Sequence, residues 1–267
     1  MATSIQFVDG QAYDRYMGEW SRRAGSLFLQ WLAPSEGQRW LDVGCGGGAF
    51  TELVVDRCKP ASVQGVDPSE EQLVFARSRP SLRGILFRQG DAMALPFPDK
   101  SFDVAVMPLV IPFVPNPVRG VSEMARVVRP GGIVSAYVWD MFDGGFPYDS
   151  LHAAMREVGV AVPVPPSTNL SRLASLRDLW TGVGLEDIES GDLLVQRTFD
   201  SFEEYWSVIQ GGPSVGPGLA AMASETLGLL KNKMRQILPI DHAGRITYSA
   251  RAMAIKGRVP NQPGVPG

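Results

Sequence analysis

The chain has 267 residues, 45% apolar and 20% charged, with a formal net charge of −3. That length holds one α/β domain with insertions and buries a full core, and so small a charge gives no field for general nucleic-acid binding. Its two cysteines, Cys45 and Cys58, are too few for a disulfide framework and lack metal-ligand spacing, so a reducing compartment and no metal are expected.

The N-terminus MATSIQFVDGQ has no charged stretch leading into an apolar one, so no signal peptide is expected. The longest apolar run, residues 104–114, is too short for a bilayer and contains Pro108 and Pro112. A soluble, cytoplasmic protein with no membrane partner is the expectation.

Residues 19–33 place Trp20, Ala24, Leu27, Phe28, Trp31 and Leu32 at helical spacing, and Pro34 stops the helix. RWLDV then predicts a short strand running straight into Gly44-Cys45-Gly46-Gly47-Gly48 and a helix over 49–56. A second strand, 62–66, ends at Asp67. Pro68 follows, and Ser69 to Gln72 reads as a capping box opening a helix to about 78. Strands over 85–91 and 102–107 come next. Asn116 and Pro117 are an N-cap and first-turn pair for a helix carrying Val118, Val121, Met124, Ala125 and Val128, ended by Pro130-Gly131-Gly132. Residues 133–139 are a fifth strand. Strands alternating with helices imply βαβ units and a mainly parallel sheet.

Beyond 140 the pattern loosens. A connection to 169 holds a short helix at 151–158. Leu173, Leu176, Leu179, Trp180 and Val183 mark a helix stopped by Gly184. Strands over 192–199 and 246–256 flank helical stretches 202–209 and 219–238, and the Pro- and Gly-rich tail after Gly257 is expected to be disordered.

The glycine loop carries the chemistry. Glycines permit positive φ and let a ligand lie on bare backbone, and the following helix turns free N–H groups toward it. The loop also fits a dinucleotide fingerprint, Gly44-x-Gly46-x-x-Ala49, with Asp67 about 20 residues on as a ribose carboxylate. The loop alone therefore leaves a nicotinamide oxidoreductase open, although no Tyr-x-x-x-Lys pair accompanies it.

The following segments separate the two. LDVGCGGG, GVDPSEEQL, GDAMALPFPDKSFDVAV and EMARVVRPGG stand in order over about 38–138. Together they resemble the class I S-adenosylmethionine-dependent methyltransferases, specifically the bacterial small-molecule (type-11, ubiquinone-biosynthesis-like) group. The resemblance implies a Rossmann-like three-layer α/β sandwich. Its mostly parallel seven-stranded sheet would have an antiparallel last strand and a small helical cap. It implies a leader at 1–37, a cofactor core at 38–139, a sheet completion with cap insertions at 140–257 and a tail at 258–267. Asp42, Gly44, Cys45 and Gly46 would hold the methionine part. Asp67 and Pro68 would meet the ribose, and Asp91, Ala92 and Met93 the adenine. Met107 and Pro108 would floor the site, and Tyr13 or Arg22 of the leader would reach the cofactor carboxylate.

The sequence departs from the group at Pro112, where many relatives carry Gln or His. The expected reaction is in-line methyl transfer to a small-molecule acceptor, with S-adenosylhomocysteine as product. His152, Asp140 and Tyr13 are candidate bases, but none is assigned as catalytic. Phe142, Phe146, Tyr148, Tyr205 and Trp206 are candidate walls of an apolar acceptor site, or else the cap's own core. A non-catalytic cofactor sensor is the remaining alternative.

Overall fold

Seven strands form one sheet in the order β3-β2-β1-β4-β5-β7-β6. The structure, a computed structural model, describes residues 14–162, 164–212 and 215–261. The strands are β1 (Arg39–Val43), β2 (Ser62–Asp67), β3 (Leu86–Gln89), β4 (Phe102–Pro108), β5 (Val128–Trp139), β6 (Glu186–Phe199) and β7 (Ile246–Arg258). β1 to β5 pair in parallel, while β7 lies antiparallel between β5 and β6. The expected sheet, including its reversed last strand, is the one observed. The chain turns back across the sheet between β1 and β4, and the crevice at the carboxyl ends of these two strands is where ligands bind in open α/β sheets.

The helices start and stop where local chemistry dictates. In α1 (Glu19–Leu32) the end is a left-handed Ala33 whose N–H bonds Leu29 O, before Pro34 is reached. α2 (Ala49–Cys58) follows the glycine loop. Ser69 caps α3 (Glu70–Ser78) by accepting from the Gln72 N–H, and Asn116 caps α4 (Pro117–Val127) by accepting from the Arg119 N–H. α5 (Asp149–Glu157), α6 (Leu173–Gly182) and α7 (Phe202–Gln210) lie close to their predicted spans.

Three boundaries differ. β5 starts at Val128, so Pro130-Gly131-Gly132 lies inside a strand, bent where the β4 pairing shifts register between Phe102 and Val104. A Cβ at Gly132 would stand 2.7 Å from the Asp103 carbonyl oxygen, so only glycine allows that approach. β6 begins six residues early, because β7 is long enough to pair with it. The helix expected over 219–238 is two, α8 (Gly216–Ala220) and α9 (Ser224–Ile237). At the tail, Arg258 still belongs to β7 and the Val259 N–H bonds Gly132 O, while residues 262–267 lie outside the described residues.

Strand alternation builds a core on each face. Trp40, Val104, Val106 and Tyr137 face α1 and α2, whereas Leu41, Val43, Ala105 and Met107 face α4 and α6. The first core runs on into the cap, where Tyr148, Tyr205 and Trp206 are buried with Phe199 and Phe202. Gly191 of β6 leaves room for the Trp31 indole, which fixes α1 across the sheet. Among the described residues no helix is long and apolar enough to cross a membrane.

Candidate functional site

A cavity of about 450 Å³ opens at the carboxyl ends of β1 and β4, under the start of α1. The glycine loop is its floor. Gly44, Gly46 and Gly48 have φ of +74°, +50° and +79°, which favours glycine at each. The Gly44 and Cys45 N–H groups both bond Val66 O, at 2.7 and 3.1 Å, tying the loop to β2. A Cβ at Gly44 would stand 2.5 Å from a Val110 methyl, and one at Gly47 2.7 Å from Phe75. At Gly46 the nearest neighbour would be Gln72 Oε1 at 3.8 Å, so here the backbone itself faces open space.

Two buried carboxylates flank this floor. Asp42, 1% exposed, accepts from Thr51 Oγ1 at 2.6 Å through Oδ2, while Oδ1 is buried in the cavity wall with no partner. Burial raises its carboxyl to about 7, against the Thr51 hydrogen bond and helped by the nearby Asp67 charge. Asp67 accepts from the Gly46 N–H and the Ser69 N–H, both at 2.9 Å, and burial raises it against those two bonds. Each of its oxygens keeps a lone pair for a ligand.

The leader is the roof. Gly18 and Ser21 of its first turns line the cavity with Asp14, and Ser21 Oγ is a second buried oxygen without a partner. The helix comes this close because of Gly25, whose Cβ would stand 2.8 Å from Leu53 and 3.1 Å from Phe50. Arg79, at the end of α3, donates to Gly47 O at 2.6 Å, to Glu52 at 3.1 Å and to Asp14 at 3.4 Å. Leu109, Val110, Phe113 and Tyr137 close the side nearest β4 and β5.

Of the residues expected at a cofactor site, Asp42, Gly44, Cys45, Gly46, Asp67, Pro68 and Pro108 line this cavity. Met107 does not. It is fully buried on the α4 face, because its strand neighbours Val106 and Pro108 take the other side. Asp91, Ala92 and Met93 form a turn beyond the Asp67 wall, with Asp91 Oδ1 accepting from the Met93 N–H. The Gly90 N–H to Asp67 O bond links that turn to the site. Arg22 stands behind the wall, its Nη1 3.2 Å from Asp14. Tyr13 lies outside the described residues.

The candidate bases stand elsewhere. His152 is stacked on Phe146 at 4.9 Å, and burial lowers it to about 4. Asp140 pairs with Arg251 and accepts from the Phe142 and Asp143 N–H groups, as a turn residue does. Of the aromatic residues considered for an acceptor site, Phe146, Tyr148, Tyr205 and Trp206 pack in the cap. Tyr148 stacks on Tyr16 at 4.4 Å and donates to its carbonyl, Tyr205 and Trp206 are buried, and Phe142 lies exposed under Arg172. The aromatics at the cavity are Phe50, Phe75, Phe113 and Tyr137. At position 112 the proline is buried and its carbonyl accepts from the Ser167 N–H, so the connection after β5 seals that spot.

Sequence reasoning missed Asp14, Gly18, Ser21 and Arg79, which are brought in by the leader and the end of α3. Tyr137 was findable, since it stands near the carboxyl end of a central strand.

An open parallel sheet with a glycine loop and acidic pocket at its switch point defines a nucleoside-cofactor α/β domain. Residues 41–136 match the methyltransferase domain family. The chain is similar to a fatty-acid O-methyltransferase of Mycolicibacterium smegmatis, 40% identical over 100 residues, 38% of this chain and 36% of that one. It is also similar to a trans-aconitate 2-methyltransferase of Rhodopseudomonas palustris, 33% identical over 64% of this chain and 62% of that one. The chain spans 27% to 62% of the length of the first curated relatives it matches. Among solved structures, a phosphoethanolamine N-methyltransferase of Haemonchus contortus with bound S-adenosyl-L-methionine shares the fold. Its TM-score is 0.58 at 18% identity, covering 94% of this chain and 57% of that one.

Proposed function

We propose that the chain is an S-adenosylmethionine-dependent methyltransferase acting on a small-molecule acceptor. The observation that carries this reading is Asp42 Oδ1, a buried carboxylate oxygen with no partner, on a residue that lines a cavity floored by bare glycine backbone. A buried acceptor left unsatisfied costs about 1–3 kcal/mol, so a donor is expected there, and a cation suits it best. The cavity's other acids suit a ligand with an ammonium, a sulfonium and hydroxyls, and no phosphate needs neutralising.

The residues divide the ligand between them. Asp42 with Gly44, Cys45 and Gly46 would hold the amino-acid end, and Asp67 beside Pro68 would take the ribose hydroxyls. The Asp91–Ala92–Met93 turn extends the same rim toward adenine. Pro108, Phe113 and Tyr137 would border the acceptor. When bound, S-adenosylmethionine supplies a methyl group open to in-line displacement. The roof of Gly18 and Ser21 would exclude water while Pro108, Phe113 and Tyr137 would hold the acceptor in line, which is most of what such a transfer requires. No base is assigned. The leader, core, cap and tail divisions at 1–37, 38–139, 140–257 and 258–267 are the working segments of this reading. Two buried free thiols, Cys45 and Cys58, favour the cytoplasm.

Calorimetric titration with S-adenosylhomocysteine, NAD and NADP tests it. Micromolar binding of the first alone is expected. Preference for either nicotinamide cofactor would replace the reading with an oxidoreductase.

A further inference from the structure

The described lining of the cavity carries four carboxylates, Asp14, Asp42, Asp67 and Glu71, against one guanidinium, Arg79. Every lysine and arginine of the chain lies within the described residues, and neither histidine is in the lining. Arg79 stands at the glycine-loop end. There Nε donates to Gly47 O at 2.6 Å, Nη1 to Glu52 at 3.1 Å and Nη2 to Asp14 at 3.4 Å, so each nitrogen is engaged by the protein.

The end at β4 and β5 is different. Pro108 ends β4, and Leu109 turns the chain with a φ of +61°, its N–H bonding Tyr137 O at 2.8 Å. The turn brings Leu109, Val110 and Phe113 into the lining beside Tyr137, and among the described residues no cation stands with them. A carboxylate placed there would give up its water to uncharged side chains. A charge buried without a partner costs far more than a buried hydroxyl. In an in-line attack on a sulfonium methyl only one oxygen reacts, so the second oxygen of a carboxylate would stay against this wall.

The roof adds one polar atom, Ser21 Oγ, which is buried and has no partner. Ser21 lies one turn before Gly25, where a Cβ would stand 3.3 Å from Tyr137 Oη, so this face of α1 borders the Tyr137 side. A hydroxyl both donates and accepts. It therefore matches another hydroxyl, but offers the two oxygens of a carboxylate a single donor.

We propose that the methyl acceptor is an uncharged hydroxyl compound with an apolar or aromatic body, that Ser21 Oγ holds its hydroxyl, and that the wall of Leu109, Val110, Phe113 and Tyr137 excludes carboxylates. The proposal rests on the methyltransferase reading. On transfer the hydroxyl oxygen forms the new O–C bond, the pair of the broken C–S bond stays on sulfur, and the hydroxyl proton passes to solvent.

Calorimetry on the protein loaded with S-adenosylhomocysteine tests this with matched pairs: p-cresol and p-toluate, naphthol and naphthoate, octanol and octanoate. At least one hydroxyl member should bind, and about tenfold or more tighter than its carboxylate counterpart. Ser21→Ala, which suits a helix, should weaken that hydroxyl member roughly threefold to tenfold, the loss of one hydrogen bond. A carboxylate member binding as tightly as its hydroxyl counterpart would overturn the proposal. So would binding of no member of any pair, or equal binding of the hydroxyl member by wild type and Ser21→Ala. Failure of the wild type to take up S-adenosylhomocysteine in the loading titration would instead bring down the methyltransferase reading itself.

Discussion

The two oxygens of Asp42 have different fates, one held by Thr51 and one bare, and this gives the position a measurable pH signature. Its carboxyl is raised to about 7 in the folded chain, chiefly by burial, whereas an unfolded aspartate titrates near 3.9. Between those values the folded state binds a proton that the unfolded state lacks. The stability contributed here is therefore full at low pH and is lost as pH rises toward 7, by at most about 1.4 kcal/mol per unit. Asp42→Asn mimics the neutral form and removes that slope. Urea unfolding should show the variant gaining on the wild type between about pH 4 and pH 7 and levelling off above that. Asp67 acts differently, because it already holds the Gly46 and Ser69 N–H groups. Asp67→Ala should lower S-adenosylhomocysteine affinity at least about tenfold, from lost ribose bonds and a loosened loop together. Unchanged affinity in the same titration would mean that the ribose lies elsewhere.

At the scale of elements, the loop and the leader meet through glycines. Gly44→Ala must accept a left-handed φ, costing about 1–2 kcal/mol, and a clash with Val110 as well. Thermal unfolding should drop for Gly44→Ala, and adding Val110→Ala should recover part of the loss, the clash, but not the φ cost. Gly25→Val pushes α1 off Leu53 and Phe50, so it should abolish ligand binding while leaving most far-UV dichroism intact. Complete unfolding by this substitution would show that the leader is indispensable to the core rather than a roof.

For the whole molecule, β7 is the strand that joins β6 to the parallel sheet, pairing with β6 from Ile246 to Arg258 and with β5 from Ala252 to Arg258. A chain ending before Ile246 should fail to fold, since it leaves β5 with a long open edge and strands β6.

Much of this was legible from residues alone. Short apolar runs ending in turn residues located every strand, and capping chemistry at Ser69 and Asn116 located two helix starts, because these signals act within a few neighbours. The glycine loop and Asp67 were legible for the same reason, since backbone geometry and strand ends fix them locally, whereas Asp42 was expected only through the family resemblance. The division of the 219–238 stretch was not, since periodicity continues through a short break. Nor was the burial of Met107 away from the cavity, which depends on which face of β4 meets α4. Only packing across the sheet decided that Tyr148, Tyr205 and Trp206 fill the cap and that Asp14, Ser21 and Arg79 reach the site. Their positions follow from contacts between segments far apart in the chain, and no local pattern encodes those.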